Sequence, residues 1–350
     1  MFVLVIRIYR IKISKLKRRL TVMIRRLLCV SLLSFIFLSS PSVAVSATQE
    51  GFDVWMQEFK KRAVSQGVSE NTISASLTGA KFLPKTIELD RKQPEGTVTF
   101  ATYKDRILST HRISKGRELL KKHRDKLEEV SAKYNVPPHY IVALWGIETN
   151  YGGYTGGFKT VDALATLAYE GRRAEFFETE LVKALKIIDQ GHISANEMKG
   201  SWAGALGQNQ FMPSSFLAYA VDFNNDNRKD IWSDLEDVFA SSANYLSSHG
   251  WKGDEKWGRK VQLPTNFDLS LINPDIQKTP EEWSRLGVLT QWGSALPVAQ
   301  DMKGYIVTPN DDLSQAYLVY NNYDVFKKWN RSTYFAVAVG LLADQIGQAL

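Results

Sequence analysis

A carboxylate occupies a position that helical spacing reserves for the core. In VPPHYIVALWGIETNYGG, residues 136–153, Ile141, Leu144, Trp145 and Glu148 fall at i, i+3, i+4 and i+7, which is one face of a helix. Pro137 and Pro138 suit the first turn of that helix. An acid on an apolar face is desolvated, which disfavours its ionised form and raises its pKa. The negative end of the helix dipole, close to residue 148, pushes the same way. A carboxyl kept protonated near neutral pH can hand its proton to a leaving oxygen. The same spacing also fits a glutamate at a helix end that reaches water past Gly152.

Two further segments carry residues suited to binding. GSWAGALGQNQFMPSSF, residues 200–216, places three glycines within eight residues, which lets backbone approach a ligand or lets two helices cross closely. Ser201, Gln208, Asn209 and Gln210 add neutral donors and acceptors that match sugar hydroxyls and amides better than charged groups. DFNNDNRKDIWSDLED, residues 222–237, sets Asp222, Asn224 and Asp226 at positions 1, 3 and 5 of a calcium loop, with the Arg228 carbonyl at 7 and Asp230 at 9. Asn227 replaces the usual glycine at position 6 and Ser233 the usual glutamate at 12, so Asp234, Glu236 or Asp237 must close the shell. A solvated turn rich in Asp and Asn fits the same residues. Aromatics lie near all three segments, Tyr103, Tyr151, Tyr154, Tyr245, Trp329 and Tyr334 among them, and serve either sugar faces or the core.

Other chemistries lose support. The chain has no Gly-rich loop ending in Lys-Ser/Thr, no His-Glu-x-x-His and no Gly-x-Ser-x-Gly. Its five histidines are scattered, and no pair has metal-ligand spacing.

The elements around these residues read as mainly α with some β, an α+β chain. Of 350 residues, 44% are hydrophobic, enough for a sizeable core. The net charge of +7 would suit a nucleic acid, but its location removes that partner. Residues 1–47 hold nine basic residues and no acid, which leaves 35 Lys and Arg against 37 Asp and Glu in the body. That leader carries Met23-Ile24-Arg25-Arg26, the apolar run Leu27–Leu38 and small residues up to Ala44 and Ala47, the pattern of a cleavable export signal. The apolar run is short for a membrane span. Cys29, the sole cysteine, lies inside it without a lipidation context, so the mature chain is expected to be exported, not lipidated, and without a disulfide.

Residues 48–134 carry helical spacing, with Ser69 a helix start. Helices continue through 135–250. The stretch 251–325 changes character: KVQLP, KGYIVTP and AYLVYNN read as short strands of a small β-rich subdomain. A last amphipathic helix, STYFAVAVGLLADQIGQA, falls in 326–350 and returns to the core.

In order, WGIETNYG, EGRRAEFF, SWAGALGQNQFMPSSF, YAVDFNNDN and ANYLSSHGW resemble the membrane-bound lytic transglycosylase B family, glycoside hydrolase family 103, over roughly residues 51–350. The resemblance implies a lysozyme-like catalytic core. It implies cleavage of the β-1,4 bond between N-acetylmuramic acid and N-acetylglucosamine in peptidoglycan glycan strands, leaving a 1,6-anhydro end without adding water. By the same likeness Glu148 is the lone catalytic acid and then base, and Ser201 and Gln210 hold sugar and acetamido groups. Arg172 and Arg173 lie near the glycan or its peptide, and Tyr103, Tyr245 and Asn330 line the cleft. A structural calcium ion falls to Asp222, Asn224, Asp226, the Arg228 carbonyl and Asp237. The implied compartment is the periplasm. Ordinary glycosidases use two carboxylates, and no second acid lies beside Glu148 in sequence. A hydrolytic muramidase would need such an acid across the cleft. A glycan-binding protein without catalysis would need no acid on an apolar face.

Overall fold

The computed structural model describes residues 47–92, 98–253, 255–299 and 301–348. The leader and Cys29 lie outside the described residues, Ala47 excepted. Residues from Ala47 onward form one compact unit.

The first third is helical as its spacing predicts, and capping side chains set where each helix begins. Helices α1 (Gln49–Ser65), α2 (Glu70–Leu77), α3 (Pro84–Arg91), α4 (Phe100–Ile107), α5 (Thr110–Lys122) and α6 (Arg124–Tyr134) follow one another. Thr48, Ser69, Thr99 and Ser109 accept amide hydrogens of the first turns of α1, α2, α4 and α5.

Helix α7 (Pro138–Thr149) comes next, with Pro138 in its first turn. It is buried from Tyr140 to Gly146 without a gap, so it has no solvent face. The reading of one apolar stripe therefore gives way to a helix enclosed on all sides, the setting for a segment apolar all round. Helices α5 and α6 pack on it, as do α11 and α14, whose ranges follow. Strand β1 (Phe158–Lys159), α8 (Thr160–Glu170), α9 (Ala174–Asp189), β2 (Lys199–Gly200), α10 (Pro213–Tyr219) and α11 (Leu235–Ser248) complete the core, with β1 and β2 paired antiparallel.

The expected strands form in the next stretch. β3 (Gly258–Gln262), α12 (Pro280–Arg285), β4 (Leu289–Thr290), β5 (Tyr305–Val307) and β6 (Tyr317–Val319) give an antiparallel sheet in the order β4-β3-β6-β5. A small core of its own, with Val261, Trp283, Ile306, Leu318 and Tyr320, lies beneath it. The chain then returns to the helical body through α13 (Asn321–Trp329) and α14 (Thr333–Gly347). Helix α13 stood out in no sequence pattern.

The end of α7 is shaped by a reversal. Asn150 and Tyr151 take φ of 51° and 62°, in the left-handed region, and fold the chain back over the helix. The Tyr151 ring comes to lie on Gly146, where a Cβ would meet its Cε1 at 2.6 Å. Its hydroxyl donates to the Arg112 carbonyl at 2.7 Å. Gly146→Ala should therefore force the ring out and cost about 1–3 kcal/mol. The check is the denaturation midpoint, and an unchanged midpoint would overturn this account of the reversal.

Candidate active site

Glu148 sits in the last turn of α7, after the buried run and before the reversal. Its Oε1 accepts the indole N–H of Trp329 at 2.7 Å. Burial pushes the carboxyl up to about 7, and the Trp329 hydrogen bond draws it part of the way back. No other charged side chain among the described residues contributes to that value. A neighbouring carboxylate would have raised it further. Burial therefore keeps the Glu148 carboxyl protonated for part of the time at neutral pH.

Trp329 is fixed from behind. Its ring meets Tyr245 edge-on at 4.8 Å between centroids and Phe211 at 5.2 Å. Tyr245 is 7% exposed, and its hydroxyl donates to the Lys328 carbonyl at 2.7 Å, next to Trp329 in the chain. It packs behind the indole and ties to the chain beside it. Asn330 follows Trp329, is exposed, and accepts the Ser332 amide hydrogen at 2.9 Å. Tyr103, on α4, lies within the field of Glu148: burial first, and then that charge, push its phenol up to about 12. Its ring rests on Tyr334 of α14 at 5.9 Å.

The glycine-rich segment divides its polar residues between two tasks. Gln208 is buried, its Oε1 accepting Trp145 Nε1 at 2.7 Å and its Nε2 donating to the Trp232 carbonyl at 2.9 Å. Asn209 is buried too and donates to the Val238 carbonyl and to Ser242 Oγ. Both hold the segment against α7 and α11, so these hydrogen bonds go to the fold rather than to a ligand. Gln210, at φ 51°, donates through Nε2 to the Thr155 and Gly207 carbonyls, which points its remaining capacity through Oε1. Ser201 Oγ accepts the Ala203 and Ala205 amide hydrogens and keeps its own proton to donate.

Arg172 and Arg173 converge on buried Asp90 of α3. Arg172 Nε lies 3.0 Å from Asp90 Oδ2. No contact among the described residues joins this pair to Glu148. Asp90 itself carried no sequence signal.

In the loop at 222–237, Asp222 accepts the amide hydrogens of Asp226 and Asn227, and Asn224 accepts that of Asp226. Asn227 takes φ 71°, so it adopts the conformation for which glycine is usually kept. Asp237 is fully buried and accepts the Phe223 and Asp230 amide hydrogens at 2.7 Å each, tying the two ends of the loop together. Burial, with Asp234 and Asp222 adding to it, pushes its carboxyl up to about 6. Among the described residues no three His, Cys, Asp or Glu side chains already form a metal cage. The donor set, carboxylates and an amide that crowd one another, is one whose repulsion a hard cation would relieve.

Comparison with known proteins decides the family. The family model described as a transglycosylase SLT domain matches residues 51–344. The chain belongs to the transglycosylase SLT domain family. Its relatives include the membrane-bound lytic murein transglycosylase B of Escherichia coli (strain K12), 31% identical over 84% of this chain and 82% of that protein. SltB3 of Pseudomonas aeruginosa, solved in complex with NAG-anhNAM-pentapeptide, superposes with a TM-score of 0.82 at 40% identity, over 85% of this chain and 79% of that one. The Escherichia coli lytic transglycosylase Slt35 in complex with calcium gives a TM-score of 0.73 at 27% identity, over 87% and 94%. The lysozyme-like, mainly α fold and the enzyme class read from the sequence are those of this family.

For a transglycosylase SLT domain the group that the sequence left unassigned is Trp329. It is 181 residues from Glu148, so no spacing pattern could pair them. Trp329→Phe removes the donor and keeps an aromatic ring. The Glu148 carboxyl should then hold its proton to higher pH, the basic limb of its titration by carbon-13 NMR moving up by about one pH unit. An unchanged limb would show that the indole N–H does not act on the carboxyl.

Proposed function

We propose that the chain is a periplasmic peptidoglycan lytic transglycosylase in which Glu148 acts first as acid and then as base. The observation that carries this reading is a single carboxyl with no second acid acting on it, held by Trp329 and raised to about 7. Protonated Glu148 gives its proton to the oxygen between N-acetylmuramic acid C1 and N-acetylglucosamine, and the C1–O bond breaks. The carboxylate left behind takes the proton of the muramic C6 hydroxyl as that oxygen attacks C1. No water is consumed, and Glu148 ends protonated as it began. A value near neutral suits a group that must both give and take a proton.

Ser201 and Gln210 serve the sugar hydroxyl and acetamido groups with the donor and acceptor they keep free of the fold. Tyr103 and Asn330 line the cleft beside Glu148, and Tyr245 acts there by backing Trp329. Arg172 and Arg173, pre-set on Asp90, meet the glycan or the peptide it carries. Mass spectrometry of sacculus digests should give fragments one water lighter than hydrolytic products, with non-reducible muramic ends. Reducible ends would establish hydrolysis instead. Glu148→Gln should lower the rate by about 10²–10⁴-fold and leave glycan binding in place. The wild-type rate should fall as pH rises through about 7, because the proton to be given is lost there. Full cleavage by the variant would sink the assignment.

Calcium is proposed as a structural ion at Asp222, Asn224, Asp226, the Arg228 carbonyl and Asp237, a reading supported by the Asn227 backbone and by the Slt35 calcium complex. Binding to the folded state alone raises stability by mass action. Calcium should therefore raise the melting temperature, most strongly above pH about 6 where Asp237 is ionised. Asp222→Ala should abolish the rise, and no shift in the wild type on adding chelator would remove calcium from the account.

A further inference from the structure

At the N-terminal end of α7, the end opposite Glu148, a cleft of about 620 Å³ opens between the helical body and the small sheet. His139 at its floor is nine positions from Glu148 on the same helix, roughly 14 Å along the axis. The β4 hairpin forms one wall and presents Trp292, 81% exposed, beside the cleft. The hairpin tip is fixed: the Thr290 amide donates to the Ser294 carbonyl at 2.8 Å, and the two hydroxyls meet at 2.7 Å. An indole held out in water on a fixed tip forgoes the burial that large aromatics otherwise gain and leaves its ring face open to a ligand.

The rest of the lining mixes apolar Leu108, Pro137, Tyr140 and Leu341 with polar residues, the carboxylates Glu255 and Asp344 among them. Gln291 and Gln348 are exposed, and Arg259 Nε and His139 Nδ1 are enclosed atoms without a hydrogen-bond partner. Burial drops His139 to about 4, so it meets a ligand as a neutral ring at pH 7. One aromatic face with several amides and a neutral imidazole matches a pyranose, which offers a C–H face to stack and hydroxyl and acetamido groups to bond. Arg259 adds a cation suited to the carboxylates of peptides attached to the glycan.

We propose that this cleft is a second glycan-binding site that takes an N-acetylated aminosugar segment of peptidoglycan, with the Trp292 indole against a pyranose face. The proposal rests on the transglycosylase reading. It gives the enzyme a second hold on the wall, which raises the effective concentration of bonds at the first site without new contacts there.

The test compares wild type with Trp292→Ala on purified sacculi and on short soluble glycan strands. The variant should cleave the soluble strands at the wild-type rate, and its sedimentation with sacculi and turnover of them should fall at least several-fold. Equal action on sacculi would overturn the site. An equal loss on both substrates would place Trp292 in the catalytic cleft and overturn it as well. No cleavage of either substrate by the wild type would instead defeat the transglycosylase reading. A titration with the β-1,4-linked tetramer of N-acetylglucosamine gives a readout independent of turnover. The indole N–H resonance absent from the Trp292→Ala spectrum should shift in the wild type, and a static resonance at saturating tetramer would count against the site.

Discussion

The hydrogen bond from Trp329 Nε1 to Glu148 Oε1, 2.7 Å long, joins two elements 181 residues apart and fixes how the rest of the site must be built. It requires α13 to end where it does, so that its last residue faces the end of α7. It requires a rigid indole, which Tyr245 and Phe211 supply from behind. It also requires the C-terminal helices to return to the body after the small sheet. The sheet inserted between α11 and α13 carries an apolar core of its own and also joins the main core through Tyr305, Tyr317 and Val319. Breaking the Trp329 contact would leave a partly buried acceptor with one fewer donor, the expensive direction for a hydrogen bond.

A carboxyl in this position works against the fold as well as for it. Its folded value, about 7, lies above the ordinary 4.5, so the folded state binds the proton more tightly than the unfolded chain. The associated stability is fully present below the unfolded value and is lost as pH rises to about 7, a cost of at most about 3 kcal/mol once ionised. The fully buried run from Tyr140 to Gly146 offsets it, since each large apolar side chain taken from water contributes about 1.5–3 kcal/mol. A tolerated cost of this kind is in keeping with the acid role proposed for Glu148.

What sequence could show divides along the same line. Glu148 stood out as a candidate because local spacing placed an acid among Ile141, Leu144 and Trp145. Helix starts at Ser69 and Pro138 were legible because caps and prolines act within one turn. The partners of those residues were not. Trp329 and Asp90 reach their contacts across 181 and 82 positions, distances over which no periodicity carries information. Gln208 and Asn209 misled for a related reason. An amide reads the same whether it faces a ligand or a buried carbonyl, and only the fold shows that Trp145 and Val238 already use them.

The single acid and the near-neutral value are two sides of one constraint. A pair of carboxylates can divide the labour, one kept protonated and the other ionised by environments that push them apart. One carboxyl that must give a proton and then recover another gains nothing from an extreme value in either direction. Burial alone would carry Glu148 too far toward a weak donor. The indole N–H, which favours the carboxylate, restrains it. The opposition of those two effects, rather than either alone, sets a value near 7, which suits the acid-then-base role proposed for Glu148.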